Sequence, residues 1–168
     1  TNEDALGLRG EGDKKVDLGG SFVCPGFIDS HMHVLNYGQA LNCARLDKHT
    51  SSLEDMIACL KEYALAHPNA SRISGRGWNQ DYFTDVQRMP NRYDLDKACS
   101  DKPVYATRAC GHAIVVNSAV INQLGITAET PQPEGGLIGM ENGEPNGLFF
   151  DSAIALVARS IPTPAKDE

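Results

Sequence analysis

No stretch of this chain approaches the roughly 18 consecutive apolar residues that a membrane-spanning helix needs. No Cys-x-x-Cys occurs, and the five cysteines (Cys24, Cys43, Cys59, Cys99 and Cys110) are odd in number. That speaks against a disulfide scaffold or a zinc ribbon and fits a reducing, cytoplasmic setting. Basic residues are the minority: 15 Lys and Arg against 22 Asp and Glu leave a net charge of −7. Nucleic acid and anionic membranes are therefore not expected as partners, because both require a basic face. The glycines of "GRG" and "PEGG" lack the Gly-x-x-x-x-Gly-Lys-Ser/Thr spacing of a phosphate loop. No internal repeat, low-complexity tract or Ser-His-Asp spacing is visible. The opening "TNEDALGLRG" has no apolar signal-peptide core, and it starts on Thr rather than Met, as expected of a piece of a longer protein.

What remains is an ordinary globular composition. The chain has 168 residues, 41% hydrophobic and 22% charged, enough for one domain with a real core. Val16 and Leu18 alternate with polar residues, which predicts a short edge strand, and Phe27-Ile28 reads as a second one. "SSLEDMIACLKEYALAHP" predicts a helix capped by Ser51 or Ser52 and stopped by Pro68, with Leu53, Met56, Ile57, Leu60 and Ala64 on one buried stripe. "SRISGRGW", "PVYATRAC" and "HAIVV" read as strands, and "NRYDLDKAC" as a short helix. Asn117 or Ser118 caps a helix that ends at Gly125. "LIGMENGEPNGLFF" predicts a hairpin turning at Asn142-Gly143, because a type I′ turn needs positive φ at both central residues. A last helix follows in "DSAIALVARS". The alternation of helices and strands gives an α/β (α+β) chain.

The chemistry-bearing motif is "PGFIDSHMHV". In a strand, residues i and i+2 point the same way, so His31 and His33 can reach one metal ion together. Neutral imidazole suits Zn²⁺, Fe²⁺ or Ni²⁺. Asp29 could orient a ring or share the rim.

At this point the chain resembles the amidohydrolase superfamily, in which a PGFID-H-H segment ends the first strand of a metal-dependent (β/α)8 barrel, after a β-sandwich segment. It is similar more narrowly to the family-3 amidohydrolases, which include exoenzyme regulatory proteins. The matching pieces run in order from Val16 onward: "VDLGGSFVCPGFIDSHMH", "GRGWNQDYF", "PNRYDLDKACSDKPV", "RACGHAIVVNSAVINQLGI", "PEGGLI" and "GEPNGLFFDSAIALV". The resemblance implies that His31 and His33 are the first two metal ligands, with zinc the expected metal. It implies that residues 1–34 end a sandwich segment and form the first barrel strand. Residues 35–160 would then be an inserted mixed α/β domain over the active site, and 161–168 a tail. It also implies hydrolysis of a C–N bond in a small-molecule amide or cyclic amide.

A full barrel takes about 250 residues, and the later ligands of such a barrel have no match here; His49, His67 and His112 are the remaining histidines. The expectation is a fragment with an incomplete barrel, inactive alone. A non-catalytic regulatory module of the same fold is the rival reading. A small metalloenzyme using His31, His33 and His112 is a third. Residues 20–34 offer an edge that a second copy could cover, giving a homodimer.

Other residues admit two readings each. Arg108 and His112 either face the substrate, with Arg108 holding a carboxylate bidentately, or serve a strand-to-loop junction. Trp78, flanked by Gly75 and Gly77, either lines a substrate pocket or packs in the core. His67, before Pro68, suits a helix end. His49 has no evident partner, and the cysteines are expected to act as small buried apolar residues.

Overall fold

The computed structural model describes residues 1–32 and 34–161. They fall into two compact units, divided between Met32 and residue 33.

The first unit contains one helix, α1 (Asn2–Gly7). Its start is a capping box, in which the Thr1 hydroxyl accepts from the Asp4 amide and the Asp4 carboxylate reaches back to Thr1. The strands expected at Val16–Leu18 and at Phe27-Ile28 are not formed. Phe27 and Ile28 are 99% and 95% exposed. A strand exists only through hydrogen bonds to a neighbour, and β-propensity alone does not make one.

The second unit carries the core. Helix α2 (Val34–Leu41) leads into β1 (Ala44–Arg45), a 3-10 turn (Leu46–Lys48) and helix α3 (Leu53–Ala66). Then follow β2 (Ile73–Trp78), a 3-10 turn (Gln80–Tyr82), α4 (Arg92–Ala98), β3 (Val104–Arg108), β4 (Ala113–Val116) and α5 (Ser118–Leu124). The hairpin β5 (Gly136–Glu141) and β6 (Glu144–Asp151) and helix α6 (Ile154–Ala158) complete it. The six strands form one mixed sheet in the order β1-β2-β3-β4-β6-β5. β1, β2 and β3 are parallel, joined by crossovers through α3 and α4; β4, β6 and β5 pair antiparallel.

The pleat sorts the residues into two faces. On the first face a row runs Ala44, Gly75, Ala106, Val115, Leu148 in register. It packs with Leu46, Leu53, Met56, Leu60 and Leu95, so α3 and α4 close this side. Gly75 belongs there for space: a Cβ would lie 2.8 Å from Leu46 Cδ1 and 2.9 Å from Leu60 Cδ2. On the second face Tyr105, Ile114, Val116, Ile138 and Phe149 meet Val120, Ile121, Ala153 and Val157 of the α5 and α6 region.

Capping fixes the helix starts. The Ser52 hydroxyl accepts from the Asp55 amide, and the Asp85 carboxylate accepts from the amides of Leu53 and Glu54. Asn117, fully buried, caps α5: its Oδ1 accepts from Val104 and Val120, and its Nδ2 donates to the carbonyls of Cys99 and Lys102. The turn at Asn142 (φ 52°) and Gly143 (φ 83°) has the expected positive φ at both positions.

Candidate functional site

Because β6 runs antiparallel to β4, and β4 antiparallel to β3, the ends of β2, β3 and β6 and the start of β4 share one sheet edge. Ligands of α/β sheets gather at the carboxyl ends of the strands. Here that edge is polar. β2 ends in "WNQDY", β3 in "RACGH" and β6 in "FDS". The backbone stitches these loops together through Ala109 N–H to the Trp78 carbonyl (3.0 Å) and Asp151 N–H to the His112 carbonyl (3.1 Å).

Arg108 lies at the centre of this edge with its guanidinium fully engaged. Nε donates to Gln80 Oε1 (2.9 Å), and Nη2 donates to Asn79 Oδ1 (2.9 Å) and Asp81 Oδ2 (3.0 Å). Nη1 reaches Cys110 Sγ at 3.4 Å. Arg108 therefore organises the loop after β2, and its fork is already occupied by protein groups. The Cys110 thiol is exposed and held below the ordinary thiol range, chiefly by the His112 amide at 3.4 Å, which with help from Arg108 outweighs the opposing effect of burial.

His112 is 78% exposed and pairs through Nδ1 with Asp151 Oδ1 at 3.1 Å; Asp151 is 58% exposed. Asp151 also has φ 50°, uncommon for a residue other than Gly. The His112 carbonyl ties the junction, while its imidazole stands in solvent beside a carboxylate.

Trp78 is fully buried, and its indole N–H donates to the Ala106 carbonyl at 2.8 Å. This corrects the reading of Trp78 as a pocket-lining residue. Gly77 at φ 107° forms a bulge against β3, and a Cβ there would meet Asp47 at 2.8 Å. The bulge turns the following ring into the first-face core.

Two other histidines are structural. His49 Nδ1 lies 2.8 Å from Asp55 Oδ1, and Ser51 donates to the same carboxylate. His67 stacks on Tyr63 and bonds the Tyr63 carbonyl, closing α3. A cavity of about 450 Å³, lined by Asn91, Tyr93, Glu141, Asn142, Glu144 and Asn146, sits at the opposite sheet edge by the hairpin tip. It offers no histidine, cysteine or hydroxyl nucleophile beyond Tyr93, so the chemistry points to the other edge.

His31, in the first unit, is exposed, and its amide donates to Asp29 Oδ1 at 3.0 Å. His33 lies outside the described residues. Among the described residues no group of three His, Cys, Asp or Glu is placed to hold a metal ion. The donor types of "DSHMH" suit a divalent metal, and the Asp29 carboxylate accepts the His31 amide through Oδ1. Two imidazoles by themselves are fewer than the three protein ligands of a hydrolytic site.

Sequence reasoning singled out Arg108 and His112 but missed Asn79, Gln80, Asp81 and Asp151, which hold them. The polar run "NQD" directly after a strand was a usable signal; Asp151, at the end of an apolar strand, needed the register.

Comparison with known proteins agrees with these motifs. Residues 14–168 match the model of the amidohydrolase family. YtcJ of Bacillus subtilis (strain 168), named as an amidohydrolase, is 37% identical over 150 residues, 89% of this chain and 28% of that protein. The N-substituted formamide deformylase of Arthrobacter pascens is 28% identical over 161 residues, 94% of this chain and 29% of that protein. The exoenzymes regulatory protein AepA of Pectobacterium carotovorum is 31% identical over 159 residues, covering 91% and 34%. An uncharacterized metal-dependent hydrolase from Pyrococcus furiosus superposes with a TM-score of 0.54 at 28% identity, covering 80% of this chain and 24% of that one. A second, from Pyrococcus horikoshii OT3, gives 0.55 at 26% identity, covering 78% and 23%. The chain thus spans roughly a third or less of each relative, and over nearly its whole length it belongs to the amidohydrolase family.

Proposed function

We propose that this chain is part of a metal-dependent hydrolase that cleaves a non-peptide C–N bond, as in an N-formyl or N-acyl amide or a cyclic amide. The observation that carries this reading is the "PGFIDSHMH" segment inside a chain of the amidohydrolase family. The named deformylase among its relatives supports C–N cleavage.

In this reading residues 1–34 hold the end of a sandwich segment and the first barrel strand, and 35–160 are a domain inserted over the active site. His31 and His33 supply two imidazoles to the metal, for which zinc is the proposed identity. A divalent ion there supplies Lewis-acid activation of water and of the amide carbonyl. His112 lies on the substrate side of the sheet edge, its ring oriented by Asp151. Arg108 acts as a positioning residue that holds Asn79, Gln80 and Asp81 in place. Two histidines without a surrounding set of ligands and orienting groups bind metal weakly, so the chain alone is proposed to be inactive. A cytoplasmic location and self-association through residues 20–34 belong to the same proposal.

The test is turnover of N-formyl and N-acyl amines by the longer protein that contains this chain. The expected result is metal-dependent hydrolysis that His31→Ala or His33→Ala reduces by at least about a thousandfold, in line with loss of a metal that activates water. Unchanged turnover in both variants would refute the ligand assignment, and no hydrolysis of any C–N substrate would refute the function.

A further inference from the structure

The second face of the sheet has one row that changes character along its length. In register it reads Arg45, Arg76, Thr107, Ile114, Phe149, Ile138. Ile114, Phe149 and Ile138 are buried among the residues of α5 and α6. Arg45 and Arg76 are exposed and Thr107 is half-buried, so the row emerges from the core as a polar surface.

Two arginines directly opposite each other in a ladder repel, and such a pair needs a compensating negative charge. Arg45 has one: its Nε and Nη2 donate to the two Asp47 carboxylate oxygens at 2.8 and 2.9 Å. Asp47 is thereby consumed, and its carboxyl is held below the usual range by that same contact. Among the described residues the Arg76 side chain makes no hydrogen bond or ion pair, although it stands between Arg45 and Thr107 on one face. Its guanidinium extends to the "CGH" loop: among the described residues, Gly111 and its two chain neighbours aside, Nη2 comes nearest to where a Gly111 Cβ would lie, at 4.0 Å. That is ordinary van der Waals spacing, so the head lies beside the loop that carries Cys110 and His112.

We propose that Arg76 binds the carboxylate of a small acidic ligand, taking it as a bidentate fork with the Thr107 side of the row as its floor. Arg108, the residue that motif reading favoured for this task, is saturated by Asn79, Gln80 and Asp81, whereas Arg76 is open. Joined to the proposed function, on which this identification of the ligand rests, it makes the substrate an amide that also carries a carboxylate, such as an N-acyl amino acid.

The experiment is a titration of the 168-residue chain, followed by the arginine Nε–Hε resonances, with N-acetylglycinate, with the uncharged N-acetylglycinamide and with inorganic phosphate. The expected result is a saturable shift of one arginine resonance with N-acetylglycinate, at least about tenfold weaker with the amide, because only the carboxylate matches the charged fork. That resonance should vanish in Arg76→Gln, with affinity reduced to the level of the amide. Arg72→Gln, which alters a residue outside this row, should leave binding unchanged. Equal binding of carboxylate and amide, unaltered affinity in Arg76→Gln, or tighter binding of phosphate than of carboxylate would each overturn the proposal. Because the titration needs no turnover, carboxylate binding at Arg76 without hydrolysis by the longer protein would sink only the proposed reaction. Hydrolysis that is indifferent to a substrate carboxylate, with no binding at Arg76, would sink only this inference.

Discussion

Asp94 carries more of the fold than its sequence position suggests. Its side chain is 3% exposed, and its carboxylate accepts from Arg88 at 2.6 and 3.0 Å, from the Asn91 amide at 3.0 Å and from Lys97 at 3.2 Å. Burial alone would raise its pKa; Arg88, the Asn91 amide and Lys97 outweigh burial and hold it below 3.8. A carboxyl whose folded pKa is depressed contributes stability above its unfolded pKa and loses it as pH falls through the folded value. Thermal unfolding should therefore show Tm falling between about pH 5 and about pH 2, and Asp94→Asn should start lower and fall less steeply. Asp94→Ala at neutral pH should cost on the order of 1–2 kcal/mol, through the lost cap and charge-assisted hydrogen bonds, because Arg88 and Lys97 are exposed enough to be hydrated. A flat Tm in the wild type, or an unaltered profile in Asp94→Asn, would show that the pair is incidental. This residue was half-legible: Asn91 with Asp94 has capping-box spacing, but the partner Arg88 lies before the helix and only the folded turn brings it back.

At the scale of elements, legibility followed length and local signals. Helix α3 was readable because Leu53, Met56 and Leu60 repeat on one stripe and Ser52 and Pro68 punctuate it. The β5–β6 hairpin was readable because Asn142-Gly143 tolerates the positive φ that its turn demands. Gly143→Val should destabilise the hairpin by about 1 kcal/mol or more and lower Tm by about 2–4 °C. An unchanged Tm would contradict that turn. β1 was not readable, because two residues become a strand only through pairing with Gly75 and Arg76. Helix α2 was missed because "VLNYGQAL" has Gly38 in its middle. The opposite error, at Phe27-Ile28, arose because two bulky residues satisfy strand propensity while no neighbour among the described residues pairs with them. The candidate site divides the same way. Arg108 and His112 stood out from their motif, whereas the saturation of Arg108 and the openness of Arg76 depend on register across three strands, which no local pattern reports.

For the whole molecule, the contrast between the two units is the main result. The second unit has a core on both faces of its sheet. The first has one short helix and leaves Phe22, Phe27 and Ile28 in solvent. Apolar residues exposed beside the "SHMH" run, in a chain spanning roughly a third or less of its relatives, are what the proposed first barrel strand would present without its neighbours. The central proposal is that His31 and His33 are two ligands of a site that this chain does not complete. The most direct test is the metal content of the purified 168-residue chain after exhaustive dialysis, measured by mass spectrometry beside His31→Ala. The account predicts far less than one zinc per chain, with no amide turnover. One tightly held zinc per chain, lost together with hydrolytic activity in His31→Ala, would contradict it.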